Sequence, residues 1–272
     1  MFDDYPVTPA EPELAPRPTF YLRLSKPVVS RVLMVVLLVG FAIEIVYGVL
    51  VYDTWMTFNG TDIMVLVDLG AKVNILIAAG EYWRLFTATL LHGGIMHLLF
   101  NLYALFALGP LLEAYVGPMR FLAIYMLAGL YGSLASYAFA PSISVGASGA
   151  IFGIVGATTV YFFRYRDNFG AQARAVLQNM VVIVVINLVF GLSAGNIDNW
   201  GHMGGLFGGA LAALGLLPRY RRPAVVAGHH ALEVEERRIA EIAWVAFCFG
   251  LFVAGVYLAT QTYLPELQQF VR

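Results

Sequence analysis

Gly146-Ala147-Ser148-Gly149-Ala150-Ile151-Phe152-Gly153 sets one serine among small residues at the point where a hydrophobic span begins. A run this small lets other backbones come close, and it leaves the Ser148 hydroxyl without a bulky neighbour on either side, which is how a nucleophile is displayed. The stretch also reads as a helix-packing face, because Gly149 and Gly153 have the small-xxx-small spacing through which helices associate in membranes. Two other stretches bear on that choice. They are Gly201-His202-Met203-Gly204-Gly205, and His92-Gly93-Gly94-Ile95-Met96-His97 followed by Asn101.

Hydrophobic residues make up 60% of the chain and charged residues 12%, against about 45–50% and about 25% in soluble domains. This composition belongs to a membrane protein and excludes an ordinary soluble domain. The net charge of −1 contains no long basic or acidic run, so no nucleic-acid partner is implied. Cys248 is the single cysteine and lies in an apolar segment, so no intrachain disulfide is possible. The start of the chain, with Asp3, Asp4 and several prolines up to Pro27, lacks the basic residues and early apolar core of a cleavable signal peptide. The first span is therefore expected to stay.

Spans are expected at about Val32 to Tyr52, Ile95 to Leu112, Phe121 to Ala140, Ser148 to Phe163, Val176 to Leu192, Trp200 to Leu217 and Ile239 to Thr260, seven in all. The resulting division is a cytoplasmic tail over 1–31, Pro-rich and mostly disordered over residues 1 to 27, a six-span core over 32–217, a charged linker over 218–238 and a seventh helix with a short outer tail over 239–272. Residues 53 to 91 form a long connection whose apolar stretches are too short to cross, with Trp55, Tyr82 and Trp83 as interfacial anchors. Asn59-Gly60-Thr61 in that connection is a glycosylation sequon, a triplet that chance produces often.

Orientation follows from the Lys and Arg residues of the loops. With the N-terminus inside, the inner segments hold Arg17, Arg23, Lys26, Arg31, Arg120, Arg164, Arg166, Arg174, Arg219, Arg221, Arg222, Arg237 and Arg238. Only Lys72, Arg84 and Arg272 fall outside. Glu44 lies inside the first span, where a carboxyl group is a functional hypothesis by default, although the sequence names no partner for it.

In this topology the second, fourth and sixth spans run from outside to inside, so His97 with Asn101, Ser148, and His202 share one depth near the outer face. The fourth and sixth spans have only about 16 and about 17 apolar residues, giving roughly 24–26 Å of helix against a hydrocarbon core of about 30 Å. Their outer ends should open into a depression that water reaches, the setting in which polar backbone is tolerated at depth. The ladder Gly201-xxx-Gly205-xxx-Gly209 should bring the sixth span against the glycine face of the fourth and so place imidazole near hydroxyl. A serine becomes a good nucleophile when a base within hydrogen-bond reach takes its proton, and histidine titrates in the right range. His97 and Asn101, four residues apart, share a helical face and can both donate to an oxyanion; they also read as polar glue between helices.

Together, Gly146-Ala147-Ser148-Gly149, the stretch from His92 to Asn101 and His202-xx-Gly205-xxx-Gly209 resemble the rhomboid family of intramembrane serine proteases. The resemblance covers about residues 80 to 217. It implies an all-α polytopic membrane protein with a six-helix rhomboid-like core, the fourth helix central, to which one C-terminal transmembrane helix is appended here. It implies a serine endopeptidase that cuts transmembrane helices of membrane-protein substrates within the lipid bilayer. Ser148 would be the nucleophile and His202 the general base, with His97, Asn101 and the backbone N–H of Ser148 forming the oxyanion hole and no cofactor required. Trp83-Arg84, Glu113, Gly117 and Arg120 match the family's structural motifs. Phe152 stands where members often carry a tyrosine stacked on the histidine; the ring is kept and its hydroxyl lost.

Three rival readings are set beside this one. His92, His97 and His202 could supply a metal with three nitrogens, but no HExxH and no carboxylate at ligand spacing accompany them, so no metal is expected. His92 lies roughly 140° around an ideal helix from His97 and reads as a supporting cavity or loop residue. Asp198, four residues before His202, suggests a triad, yet a loop carboxylate near a helix start is more often a cap or a solvated charge, which leaves a dyad. Among non-enzymes, a catalytically inactive relative that binds and escorts transmembrane helices is the alternative, against which the retention of Ser148 and His202 argues. A bacterial plasma membrane is the expected setting.

Overall fold

A computed structural model describes residues 19–55, 58, 62–194, 197–223 and 229–270. The sequon at residues 59–61 and the first eighteen residues of the tail lie outside them. The chain forms two compact units, one of Ser25–Leu217 with Arg237–Arg272 and the other of Pro218–Glu236 with the described part of Met1–Leu24.

In the smaller unit, β1 (Thr19–Tyr21) pairs in parallel with the segment His229–Ala231, in the register Thr19↔His229 and Tyr21↔Ala231. A second ribbon joins Tyr220–Arg221 antiparallel to Glu233–Val234. Residues 19–21, expected to be structureless, are thus ordered; backbone pairing across some 200 residues leaves no local sequence signal.

The larger unit begins with α1 (Val29–Tyr52). Three short helices follow, α2 (Ile63–Leu69), α3 (Asn74–Ala78) and α4 (Arg84–Thr87). After them come α5 (Ile95–Val116), α6 (Pro118–Phe139), α7 (Ser148–Arg164), α8 (Arg166–Phe169), α9 (Ala171–Ala194), α10 (Asn199–Leu216) and α11 (Arg238–Phe270). The helices α1, α5, α6, α9 and α11 are long and apolar enough to cross a membrane. The two that carry Ser148 and His202 are shorter, at 17 and 18 residues. Both bear close glycines instead of a long apolar face.

α7 is the inner helix, because small or apolar side chains surround it. Ala150 through Thr158 are all buried, and α6, α10, α5 and α9 pack around it. The approach of α10 requires glycine: a Cβ on Gly205 would collide with the carbonyl of Gly149, and one on Gly209 with the carbonyl of Gly153. By contrast α9 turns Val181, Val182, Val185, Ile186, Val189 and Phe190 outward, as a lipid-facing helix does.

Two motif residues cap and brace the frame. Both carboxylate oxygens of Glu113 on α5 accept the free N–H groups that open α1, from Val28 (2.9 Å), Val29 (2.7 Å) and Ser30 (2.8 Å). A carboxylate from another helix thus does what a local N-cap usually does. Arg84 is buried, its guanidinium donating to the carbonyls of Val67 (2.6 Å) and Ala71 (3.2 Å) and pairing with Glu81 (2.7 Å). It fastens the connection between α1 and α5. α11 is strapped onto α6 by Arg120–Glu241 (2.7 Å), Tyr131 Oη to the Cys248 carbonyl (2.9 Å) and Tyr137 Oη to Thr260 Oγ1 (3.1 Å).

Candidate active site

The turn before α7 places the serine. Gly146 has φ +126°, a conformation that side chains other than glycine rarely adopt. Its amide donates to the Ala88 carbonyl (2.8 Å), which ties the turn to the end of the α2–α4 connection. Ser148 then opens the helix, half-buried, with its own N–H among those that have no intrahelical acceptor.

α10 brings His202 to the serine across the glycine seam. Nε2 of His202 lies 3.0 Å from Oγ of Ser148. The imidazole is buried and lies flat on the ring of Phe152, with centroids 4.2 Å apart and planes 8° from parallel. Phe152 is one helical turn beyond Ser148, so a single helix carries both the hydroxyl and the surface that fixes the plane of its partner. His202 Nδ1 meets no hydrogen-bond partner among the described residues.

Asp198 is engaged elsewhere. Its carboxylate accepts from the Gly201 amide (2.8 Å), capping α10, and from the Ser144 hydroxyl (2.7 Å). It caps a helix and ties down the loop before Ser148; the His202 amide donates to the Asp198 backbone carbonyl (3.1 Å), but the carboxylate makes no hydrogen bond to the imidazole.

His97 and Asn101 lie on the other side of the same turn. A Cβ at Gly146 would fall 2.7 Å from His97 Nε2 and 3.7 Å from Asn101 Nδ2, so both side chains face this glycine two residues ahead of Ser148. Asn101 Nδ2 donates to the His97 carbonyl (3.1 Å) and has a second hydrogen to give. The Gly93 amide donates to His97 Nδ1 (3.2 Å). With Nδ1 accepting, the proton of the neutral ring is on Nε2, the atom turned toward Gly146.

His92 is fully buried, with its ring edge-on to that of His97 at 5.3 Å. The three histidines weighed as a metal set do not converge; among the described residues no three His, Cys, Asp or Glu side chains gather as a metal site.

Sequence reasoning counted Lys72 only as one of three outer charges. Its ammonium is buried, donating to the carbonyls of Ala140 and Ser142, both at 2.7 Å, while its backbone pairs with that of Ser144. Burial pushes this amine down to about 8, and the Asp198 carboxylate partly opposes the shift. Behind Ser148 a cavity of about 30 Å³ is lined by Lys72, Ser133, Ser136, Ser144 and Asp198 among others, room for a water molecule beside polar partners. A buried lysine has no periodic signature, so only its position two residues before Asn74 in a polar patch could have pointed to it.

The geometry offers a hydroxyl, an imidazole in contact with it, a ring that holds the imidazole, and N–H donors converging on one turn. Such an arrangement suits attack on a carbonyl carbon with stabilisation of the oxyanion that results.

The family model described as the Rhomboid domain matches residues 79–219. Among curated proteins, the chain is 51% identical over 165 residues to Rhomboid protease GluP of Bacillus subtilis (strain 168), covering 59% of this chain and 32% of that one. It is 37% identical over 163 residues to RHOMBOID-like protein 5 of Arabidopsis thaliana, covering 59% and 52%. To Rhomboid protease AarA of Providencia stuartii it is 29% identical over 232 residues, covering 76% and 77%. The chain thus spans about a third of GluP and half of the plant protein. With its apolar helices, its glycine-packed inner helix and a domain match over more than half its length, this multi-pass membrane protein belongs to the rhomboid family.

Proposed function

We propose that the protein is an intramembrane serine endopeptidase that hydrolyses peptide bonds in or near transmembrane helices of membrane-protein substrates. The observation that carries the proposal is the 3.0 Å contact between His202 Nε2 and Ser148 Oγ at the N-terminal ends of two short helices. The names of the relatives, rhomboid proteases in GluP and AarA, support it. In this reading His202 takes the Ser148 proton as Oγ attacks the scissile carbonyl. The protonated imidazole then gives that proton to the leaving amine, and an acyl-enzyme remains on Ser148. Water, activated by the same histidine, releases the new carboxylate.

His97, Asn101 and the Ser148 amide receive the oxyanion. An intact helix hides its carbonyls in internal hydrogen bonds, so the substrate must unwind locally, and small or helix-weakening residues such as Gly, Ala or Pro near the cut favour this. The thirteen-to-three charge asymmetry supports a cytoplasmic N-terminus and an outer C-terminus. Reporter fusions after residue 141 and at the C-terminus should both read outside; an inside reading at either would overturn this orientation.

The deciding experiment is incubation of the purified protein with a single-span reporter substrate. Ser148→Ala and His202→Ala should each abolish cleavage; Ser148→Ala, which removes one oxygen, should leave the melting temperature within a few degrees, while His202→Ala, which empties the place of a buried ring, should lower it further without unfolding the protein. A fluorophosphonate should label the wild type and not Ser148→Ala. Cleavage near the wild-type rate in either variant would end the dyad assignment.

A further inference from the structure

Glu44 is fully buried in the middle of α1, where a carboxyl group is costly to keep. Its Oε1 accepts the backbone N–H of His92 at 3.0 Å, 48 residues away. Its Oε2 has no hydrogen-bond partner among the described residues, so the side chain's polar contact is spent on that one amide. One turn earlier on the same face, Gly40 brings α1 against the same loop; a Cβ there would stand 3.1 Å from the Leu90 carbonyl.

The amide that Glu44 holds belongs to His92-Gly93-Gly94, the lead-in to α5. Two consecutive glycines have more backbone freedom than any other pair, and Gly94 adopts φ +108°. Left alone, such a segment would not keep the Gly93 N–H aimed at one acceptor. Yet that N–H donates to His97 Nδ1 at 3.2 Å and so sets which ring nitrogen carries the proton. The peptide plane anchored by Glu44 immediately precedes the one that fixes the His97 tautomer, and the His92 ring lies edge-on against the His97 ring.

We infer that Glu44 is a positioning residue for the oxyanion hole: through the His92 amide it holds the Gly93 N–H on His97 Nδ1 and keeps the Nε2–H of His97 directed at the turn before Ser148. The role needs a hydrogen-bond acceptor at the reach of a glutamate and does not need a charge. This inference rests on the protease reading for its kinetic test and on the His97 tautomer for a test that does not depend on activity.

With purified full-length protein and the single-span reporter, Glu44→Leu should lower kcat about tenfold or more with KM little changed, whereas Glu44→Gln, which keeps an acceptor at the same reach, should stay within about twofold of wild type. Glu44→Asp keeps the carboxylate but shortens its reach, and should lose activity as Glu44→Leu does. It decides the matter if Glu44→Leu does not fold. In a His97→Ala background, Glu44→Leu should cost no more than about a further twofold, because the group it positions is gone.

Independently, histidine ¹⁵N spectra should show His97 protonated at Nε2 in wild type and Glu44→Gln, and a mixture of tautomers in Glu44→Leu or Glu44→Asp. Four results would overturn the role: a wild-type His97 spectrum in both impaired variants, full activity in Glu44→Asp, loss in Glu44→Gln, or additive losses with His97→Ala. If wild-type protein leaves every substrate uncut, the protease reading fails, and the tautomer spectra still decide the role of Glu44.

Discussion

Phe152 and His202 stack almost face to parallel face, at 4.2 Å between centroids, and the two residues come from different helices that close-packed glycines bring together. The contact sets the plane of the imidazole. His202 Nδ1 lacks a partner among the described residues, so the ring plane is held by Phe152 on one side and by the Ser148 hydroxyl at its tip. Aromatic pairs of this kind contribute about 0.5–1.5 kcal/mol beyond the area they bury. Phe152→Leu should therefore lower kcat by roughly two- to twelvefold, while Phe152→Tyr, which keeps the ring, should stay near wild type. Equal rates for Phe152→Leu and wild type would show that the imidazole is held by something else.

Packing between α7 and α10 makes a second prediction, about stability. A Cβ on Gly205 would collide with the Gly149 carbonyl, which cannot move without distorting the first turn of α7. Overpacking of a tight core costs typically about 1–3 kcal/mol. Gly205→Val should lower the melting temperature in detergent by several degrees, and should lower cleavage more than stability because His202 is carried away from Ser148. Gly250, which has open space around it, is the control; Gly250→Ala should change neither. An unchanged melting temperature for Gly205→Val would contradict the close seam.

Much of this was legible before the fold was known, and the boundary is instructive. Ser148, His202 and the glycine ladders are read from local spacing, because small-residue periodicity and helix length are properties of a single segment. Asp198 was legible as a cap or a solvated charge for the same reason, lying just ahead of a helix start, and the fold makes it the cap. Glu44 could be flagged as anomalous but not paired, since its acceptor role depends on a backbone amide 48 residues on. Lys72 was counted only as an outer-loop charge; its carbonyl partners at 140 and 142 reach it through the fold alone. Pattern tells which segments bury a face, and tertiary pairing tells what buried polar groups find there.

Lys72 leads to a prediction about pH. Its amine titrates at about 8 in the folded protein against a reference of 10.5. Between those values the unfolded chain holds the additional proton, so the contribution of this group to stability rises with pH across that window and is flat below it. Lys72→Met removes the titration. The melting temperature of wild type relative to this variant should increase from about pH 7.5 to about pH 10. A difference that stays constant or falls over that range would mean that the ammonium is not penalised by its burial.

The last prediction concerns the donors around Gly146. His97 Nε2 and Asn101 Nδ2 both face that turn, and the negative oxygen they would bind exists only after Ser148 has attacked, so ground-state binding of substrate should scarcely register them. Removing one donor from an oxyanion hole costs on the order of 10² to 10³ in kcat in soluble serine proteases, and the loss should be somewhat smaller here because the Ser148 amide and the other side chain remain. His97→Ala and Asn101→Ala should each lower kcat by about tenfold or more with little change in KM. The two are themselves joined, since Asn101 Nδ2 donates to the His97 carbonyl at 3.1 Å, and they would serve one oxygen. The double variant should therefore fall short of the product of the single losses. Single variants that raise KM and leave kcat unchanged would instead make these residues part of substrate binding or of the packing of α5, and the oxyanion assignment would be withdrawn.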